Sequence, residues 1–156
     1  MHKKIGKNDV IYHPINKEKY IGKEGYCVCR SSWEVVFARW CDHNPMVIQW
    51  TSEPFGIGYI DKTQFDHKGI PKKRRYFPDF LCKIKNSKGK IDTWLVEIKP
   101  HKETISPKKG KNKSKKTQMY ESITYMRNKA KWQAAEKYCK KRGWNFKILT
   151  EKQLLK

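Results

Sequence analysis

The stretch YFPDFLCKIKNSKGKIDTWLVEIKP, residues 76–100, decides how this chain can fold. Two apolar runs, FLCKIK and IDTWLVEIK, flank NSKGK, whose glycine and polar residues are typical of a hairpin turn. Asp79 stands at the front of the first run, and Glu97 and Lys99 stand near the end of the second. Because charged side chains are rarely buried without a partner, their place inside apparent strands needs a physical reason.

The register of this hairpin brings the two acids together. A turn centred on residues 87–89 pairs Asp79 with Glu97 across the strands. One face then carries only apolar residues, and the other carries the charged ones. The first face contains Phe80, Cys82, Ile84, Trp94, Val96 and Ile98, and the second contains Asp79, Leu81, Leu95, Glu97 and Lys99. A slip of one residue would bury the wrong face, so the apolar pattern supports this register.

The charged face suggests chemistry. Two opposed carboxylates with Cβ atoms about 5 Å apart repel unless one is protonated or a cation lies between them. Oxygen ligands suit Mg²⁺, and Mn²⁺ is the alternative because it accepts the same ligands. We therefore predict Asp79 and Glu97 as metal ligands and Lys99 as the catalytic cation, in a site that hydrolyses a phosphodiester. The competing interpretation is a solvated hairpin face with exposed ion pairs.

The charge balance predicts the partner. The 156 residues contain 36 Lys and Arg against 15 Asp and Glu, a net charge of +21 that attracts polyanions, and DNA above all. No apolar run reaches the roughly 20 residues of a membrane span, and no signal-like run begins the chain, so we expect a cytoplasmic protein. The predicted DNA contacts are Arg74, Arg75, Lys108, Lys109, Lys111, Lys113, Lys115, Lys116 and Lys131. For Lys131 and its neighbour Gln133, a solvated helix face is the preferred interpretation.

The length predicts one domain. A basic N-terminal arm is expected over residues 1–19, and the domain over residues 20–156. Within it, residues 101–118 form a lysine-rich, mobile loop, and a helix follows from about residue 119 to its C-terminal stop at Gly143. Residues 61–75 are expected as a loop or hairpin tip.

A shorter helix is predicted upstream, within RSSWEVVFARWCDHNP. Ser31 and Glu34 fit a capping box, and Asn44 with Pro45 ends the helix. An apolar stripe follows the helical period at Trp33, Val36, Phe37 and Trp40.

The cysteines are best interpreted as small apolar residues. Five is an odd number, and a cytoplasmic protein is not expected to form disulfides. A zinc site built from Cys27, Cys29, Cys41 and His43 is the alternative, although its spacing differs from the usual paired knuckles.

Pro78-Asp79 followed by Glu97-Ile98-Lys99 resembles the motif of the PD-(D/E)XK nucleases, and Glu34 resembles their upstream acid. The blocks RSSWE, YFPDF, LVEIKP and NKAKWQAAEKYCKKRGWNFKILTE, in this order, resemble the head completion nucleases of T4-like phages. They are more distantly similar to the N-terminal endonuclease domain of the TnsA transposition protein. The resemblance implies a restriction-endonuclease-like α/β core, with a mixed central sheet flanked by helices. It also implies Mg²⁺-dependent DNA cleavage, with Glu34 assisting the site.

Three functions stay open at this point. The first is a DNA nuclease of phage head completion, working with head or portal proteins and without a small-molecule cofactor, in the host cytoplasm or in association with the virion. The second is a non-catalytic, DNA-binding virion protein, and the third is the endonuclease subunit of a transposition complex. The sequence does not separate endonuclease from exonuclease action.

Overall fold

A four-stranded mixed sheet forms the centre of the computed structural model, which describes residues 4–155. Its strands, in spatial order, are β3 (Val47–Ser52), β6 (Phe80–Lys85), β7 (Ile91–Ile98) and β8 (Asn145–Leu149). β6 pairs antiparallel with both β3 and β7, and β8 runs parallel to β7. The expected mixed central sheet is therefore confirmed.

The β6–β7 hairpin has the predicted register. Phe80 pairs with Val96 and Leu81 with Leu95, which places Asp79 beside Glu97 at the end of the ladder. The turn is held by Asn86, whose side-chain oxygen accepts hydrogen bonds from the backbone N–H groups of Lys88 and Lys90 at 2.9 and 3.0 Å. Gly89 adopts a φ of +77°, a conformation that costs glycine little.

Two smaller antiparallel ribbons flank the sheet. One pairs β1 (Val10–Tyr12) with β2 (Cys27–Cys29), and the other pairs β4 (Ile57–Phe65) with β5 (Pro71–Tyr76). The second ribbon occupies most of the segment expected as a loop or hairpin tip, so only residues 66–70 turn. The sequence did not indicate the full length of this ribbon, because basic residues along β5 leave no clear alternation of apolar and polar side chains.

The helices are α1 (Ser32–His43), α2 (His101–Thr104), α3 (Lys115–Arg142) and α4 (Glu151–Leu154). The N-cap of α1 is Ser31, whose hydroxyl accepts the N–H of Glu34 at 3.2 Å, and Asn44 ends the helix as predicted. Gly143 ends α3 at a φ of +70°, which confirms its predicted role as the C-terminal stop. Across residues 4–155, no helix is long and apolar enough to cross a membrane.

The start of α3 corrects the sequence-based boundary. The helix begins at Lys115, because Ser114 caps it by accepting the N–H of Thr117 at 3.1 Å. Since α2 takes up the start of the expected loop, residues 105–114 alone remain irregular. The first turn of this helix was not predicted, because its exposed lysines give no apolar pattern that would indicate a helix.

Most of the expected N-terminal arm is docked. Residues 10–12 form β1, and Lys17–Lys19 form a 3₁₀ helix. Asp42 of α1 explains the docking, because its carboxylate accepts hydrogen bonds from the Tyr12 hydroxyl at 2.6 Å and from the Asn16 N–H at 2.9 Å. A fully buried carboxylate on α1 was not anticipated. The first three residues of the arm, and Lys156, lie outside the described part of the chain.

Apolar clusters cover both faces of the sheet. The first contains Phe37, Trp50, Phe80, Cys82 and Val96, and the second contains Tyr59, Leu95, Trp132, Ala135 and Cys139. The buried face of α1 differs from the predicted stripe, since it consists of Phe37, Ala38, Cys41 and Asp42. Trp40 is instead 39% exposed, with its ring 6.3 Å from that of Trp94 on β7.

Candidate active site

Asp79 is fixed by backbone contacts just before β6. One carboxylate oxygen, Oδ2, accepts the N–H of Ile98 at 2.7 Å, and the Asp79 carbonyl accepts the N–H of Glu53 at 2.8 Å. The other oxygen, Oδ1, accepts no hydrogen bond from residues 4–155. Glu53 has a φ of +42°, which is uncommon for a residue other than glycine, so the backbone at this point is constrained.

Glu97 lies deeper, at 4% exposure, near the end of β7 and two residues before Lys99. The hydroxyl of Tyr76 donates a hydrogen bond to its Oε2. The Lys99 ammonium lies 3.6 Å from its Oε1. The Glu97 carboxylate is therefore oriented by two groups, the Tyr76 hydroxyl on β5 and the Lys99 ammonium just after β7.

The negative charge of Asp79 and Glu97 is not fully compensated by nearby cations. Burial raises the pKa of Asp79 well above its usual range, and the charges of Glu97 and Glu34 raise it further. Burial also raises the pKa of Glu97, although Lys99 and the Tyr76 hydrogen bond oppose the shift. An additional cation between the carboxylates would remove this electrostatic cost.

Glu34 has a structural role that can be seen directly. Its Oε2 accepts the N–H of Arg30 at 3.0 Å, one residue before the predicted partner Ser31. Its charge also acts on both Asp79 and Glu97. The helix cap and the acid site therefore share one side chain, and its part in catalysis stays a prediction.

Lys131 lies at the site, so the preferred interpretation as a solvated helix residue is wrong for it. Its ammonium is 6.0 Å from the ring centroid of Tyr59 and 5.9 Å from that of Tyr76. Burial lowers its pKa, and the nearby charge of Lys99 lowers it further, while Glu97 opposes the shift. Gln133 is exposed, as expected for its side of α3.

Tyr76 was not identified from the sequence. It is buried at 5% exposure, and it contacts Glu97 although the two residues belong to different sheets. Its only sequence signal is proximity to Pro78-Asp79, since the contact depends on how the β4–β5 ribbon packs against the central sheet.

The predicted DNA-contacting residues are dispersed. Arg74 donates hydrogen bonds to Asp61 at 3.3 Å and to Gln64 at 3.0 Å, so part of its guanidinium is already engaged. Lys113 forms an ion pair with Glu121 at 2.9 Å. The remaining loop and helix-start lysines, Lys108, Lys109, Lys111, Lys115 and Lys116, are exposed.

A cavity of about 620 Å³ lies between that lysine-rich segment and α3. Its lining begins at Pro100, directly after Lys99, and reaches Asn128, one helical turn before Lys131. It also includes Lys108 and Lys113. The cavity therefore begins next to Lys99 in the chain and includes part of the predicted DNA-contacting surface.

The donor set fits a hard cation with few protein ligands. In the described part of the chain, no group of three or more His, Cys, Asp or Glu side chains could hold a metal ion. Mg²⁺ does not require such a group, because it is commonly bound through one or two carboxylates and keeps several waters. Asp79 and Glu97 supply two carboxylates, so the residues present fit Mg²⁺. Cys27, Cys29 and Cys41 lie in the apolar core.

A protein-family model described as TnsA-like endonuclease N terminal matches residues 44–151. The chain belongs to the TnsA-like endonuclease family. The family match includes Asp79, Glu97 and Lys99, while Glu34 precedes it. The restriction-endonuclease-like fold of this family agrees with the mixed sheet and its flanking helices, as the sequence resemblance implied.

A curated relative adds a second comparison. The "Head completion nuclease" of Enterobacteria phage T4 is 40% identical over 141 residues, which cover 88% of this chain and 87% of the relative. This similarity confirms the predicted resemblance to head completion nucleases. No solved structure matches the chain significantly.

Proposed function

We propose that this member of the TnsA-like endonuclease family is a metal-dependent deoxyribonuclease that acts in phage head completion after DNA packaging. The observation that carries the proposal is the pair of half-buried Asp79 and buried Glu97, whose raised pKa values indicate a deficit of positive charge, with the Lys99 ammonium 3.6 Å from Glu97 Oε1. The relative from phage T4 supports the biological setting.

Asp79 and Glu97 would hold Mg²⁺ or Mn²⁺. When bound, the metal supplies a Lewis acid and lowers the pKa of a bound water, which makes that water a nucleophile near neutral pH. The contribution of Lys99 is a positive charge beside the scissile phosphate, where it stabilises the negative charge that develops in the transition state. Lys131, partly desolvated, adds a second positive charge on the same side.

The basic surface supplies sequence-independent affinity for DNA. Neutralising the lysine-rich segment should weaken binding to all sequences and reduce the salt slope by up to about 0.9 for each phosphate that is no longer bound. The variant replaces Lys108, Lys109, Lys111, Lys113, Lys115 and Lys116 with Gln. An unchanged slope would remove this segment from the DNA interface. Arg74 and Arg75 are tested separately because they lie on the β4–β5 ribbon.

The decisive experiment incubates supercoiled and linear DNA with the protein in Mg²⁺ and in EDTA, beside a Lys99→Ala variant. We expect cleavage by the parent in Mg²⁺ alone and loss of cleavage in the variant. Cleavage in EDTA would contradict metal dependence, and a Lys99→Ala variant as active as its parent would remove Lys99 from the chemistry. Appearance of nicked circles would identify endonuclease action, whereas degradation confined to linear DNA would identify an exonuclease.

An endonuclease subunit of a transposition complex is the second candidate, because the family model is named for a TnsA-like domain. The high coverage of the T4 relative favours head completion, with head or portal proteins as partners in the host cytoplasm or virion. The two candidates differ in one measurable respect. A transposition subunit is expected to stay inactive until partner subunits are added, whereas the proposed nuclease cuts DNA alone.

A further inference from the structure

A second cavity, of about 800 Å³, opens beside the segment that leads into Asp79. Its lining includes Tyr26, Glu53, Phe55, Arg75, Phe77 and Leu81. Two connections join it to the acid pair. Phe77 precedes Asp79 by two residues, and the Glu53 N–H donates to the Asp79 carbonyl at 2.8 Å.

Phe77 and Arg75 lie close together in the lining of this cavity. Phe77 is 48% exposed, and the Arg75 guanidinium carbon lies 5.4 Å from the centroid of its ring. Gly56 permits this arrangement, because a Cβ there would lie 2.8 Å from the Arg75 Nε. Across residues 4–155, Arg75 forms no ion pair with a carboxylate, so its charge is not compensated as that of Arg74 is.

The aromatic side chains around the cavity favour a flat aromatic guest. The lining of the cavity combines the aromatic side chains of Tyr20, Tyr26, Phe55 and Phe77 with charges of both signs, those of Lys23 and Arg75 and of Glu24 and Glu53. Cations suited to phosphates lie farther along the ribbon. Lys73 is exposed and lies on the same face of β5 as Arg75, because side chains alternate along a strand.

We propose that this cavity holds an unpaired base of the DNA substrate, stacked on Phe77 and Arg75, beside the phosphate that is cut. Base–aromatic stacking in basic grooves is the general mode by which proteins bind single-stranded DNA. The inference rests on the proposed nuclease function and deepens it, since it assigns the substrate class. That class is DNA with a single-stranded end, flap or gap, in place of continuous duplex.

The test measures binding in EDTA, so that it does not depend on cleavage. Two labelled oligonucleotides carry the same number of phosphates, one as blunt duplex and one with a short single-stranded extension. The parent should bind the extended DNA about tenfold more tightly, as expected from one stacked base. Phe77→Leu, which keeps an apolar side chain without the ring, should lose that preference, and Phe77→Trp should keep it.

Phe65→Leu is the matched control. Phe65 is 56% exposed at the far end of the same ribbon, so its replacement should leave the preference unchanged. A 2-aminopurine at the first unpaired position reports the stacking directly, because its fluorescence should fall on binding the parent and not on binding Phe77→Leu. The thermal midpoint of each variant is measured beside these titrations to confirm that it is folded.

The outcomes separate this inference from the proposed function. If the parent shows no preference for the extended DNA, or Phe77→Leu retains the preference, the base-stacking site is refuted even when plasmid cleavage is normal. If the parent cuts no DNA but the Phe77-dependent preference is present, the nuclease proposal fails and the stacking site stands.

Discussion

Two regions of this molecule place carboxylates out of solvent and treat the negative charge in opposite ways, the surroundings of Asp61 and those of the Asp79–Glu97 pair. Asp61 on β4 is fully buried and bonds to Arg127 at 3.0 Å and to Arg74 at 3.3 Å. Burial alone raises its pKa, but hydrogen bonds from Thr63, with the arginine charges, leave that pKa below its ordinary value. The charge of Asp61 is therefore compensated within the fold.

The Asp79–Glu97 pair lacks such compensation. Both carboxylates have raised pKa values, and Lys99 and Lys131 do not overcome the cost of burial and of mutual repulsion. Buried ionisable groups with perturbed pKa values occur at functional sites more often than elsewhere. Burial alone therefore does not distinguish the candidate site from the surroundings of Asp61. What marks it is a deficit of positive charge that a metal ion would fill.

The largest effect is expected from Asp79→Asn and Glu97→Gln. Each change removes a proposed anionic metal ligand at nearly constant shape, so cleavage of plasmid DNA should fall by at least about 1000-fold, an electrostatic loss at the upper end of the usual range. The amide oxygen introduced by Asp79→Asn can still accept the Ile98 N–H, so the backbone should stay in place. A variant that cuts at the parental rate would exclude its residue from the site.

The same two variants should be more stable than the parent in metal-free buffer. A carboxyl group whose pKa is raised on folding stabilises the folded state below its unfolded pKa, near 4, and loses this contribution as pH rises through the folded pKa. At neutral pH the parent therefore carries the electrostatic cost of two acidic groups, whereas each variant carries that of only one. Thermal melts between pH 4 and pH 8 should show the gap between parent and variants widening as pH rises.

Glu34→Gln is expected to have the next largest effect. The Gln side-chain oxygen can still accept the Arg30 N–H, so the thermal midpoint should stay within a few degrees of the parent. If the charge of Glu34 serves the acid pair, single-turnover cleavage in saturating Mg²⁺ should fall at least roughly 100-fold. A parental rate would leave Glu34 as a helix cap only.

Asp61→Asn tests the carboxylate whose charge is compensated within the fold. Here the charge stabilises the fold, so its removal leaves Arg127 and Arg74 with a weaker acceptor and costs about 1–3 kcal/mol of unfolding free energy. This change should lower the thermal midpoint, whereas Asp79→Asn should raise it. Equal shifts of the same sign would show that the two acids are not electrostatically different.

The sequence predicts those parts of the site and the fold that depend on residues close together in the chain. The alternation in FLCKIK and IDTWLVEIK, with the Asn86–Lys90 turn, was sufficient to place Asp79 beside Glu97. The caps at Ser31 and Gly143 were equally local, because the conformation of each helix end depends on a few neighbouring residues. The mixed-sheet fold followed from the family resemblance.

Long-range contacts were not predictable in this way. Tyr76 reaches Glu97 only because a separate ribbon packs on the central sheet, and Lys131 approaches from α3 across that ribbon. The Asp42 contacts that dock residues 12–16 and the Asp61–Arg127 pair also join segments far apart in sequence. In each case, a polar residue that looks solvated in the sequence is buried by its partner.

Tyr76→Phe should have the smallest effect. It measures how much one hydrogen bond contributes to keeping Glu97 ionised. The change removes the hydrogen bond to Glu97 Oε2 while keeping the ring against Lys131. Because that bond favours the ionised carboxylate, its loss should raise the pKa of Glu97 further and weaken metal binding by about three- to tenfold, the range expected of one hydrogen bond. The Mg²⁺ concentration for half-maximal cleavage should rise accordingly, with the rate at saturating Mg²⁺ within about twofold of the parent.

Tyr59→Phe is the matched control for Tyr76→Phe. The centroid of the Tyr59 ring lies 6.0 Å from the Lys131 ammonium, but the Tyr59 hydroxyl makes no hydrogen bond to Glu97 in the described structure. Equal Mg²⁺ dependence of the two variants would show that Tyr76 supports the fold and leaves the electrostatics of Glu97 unchanged.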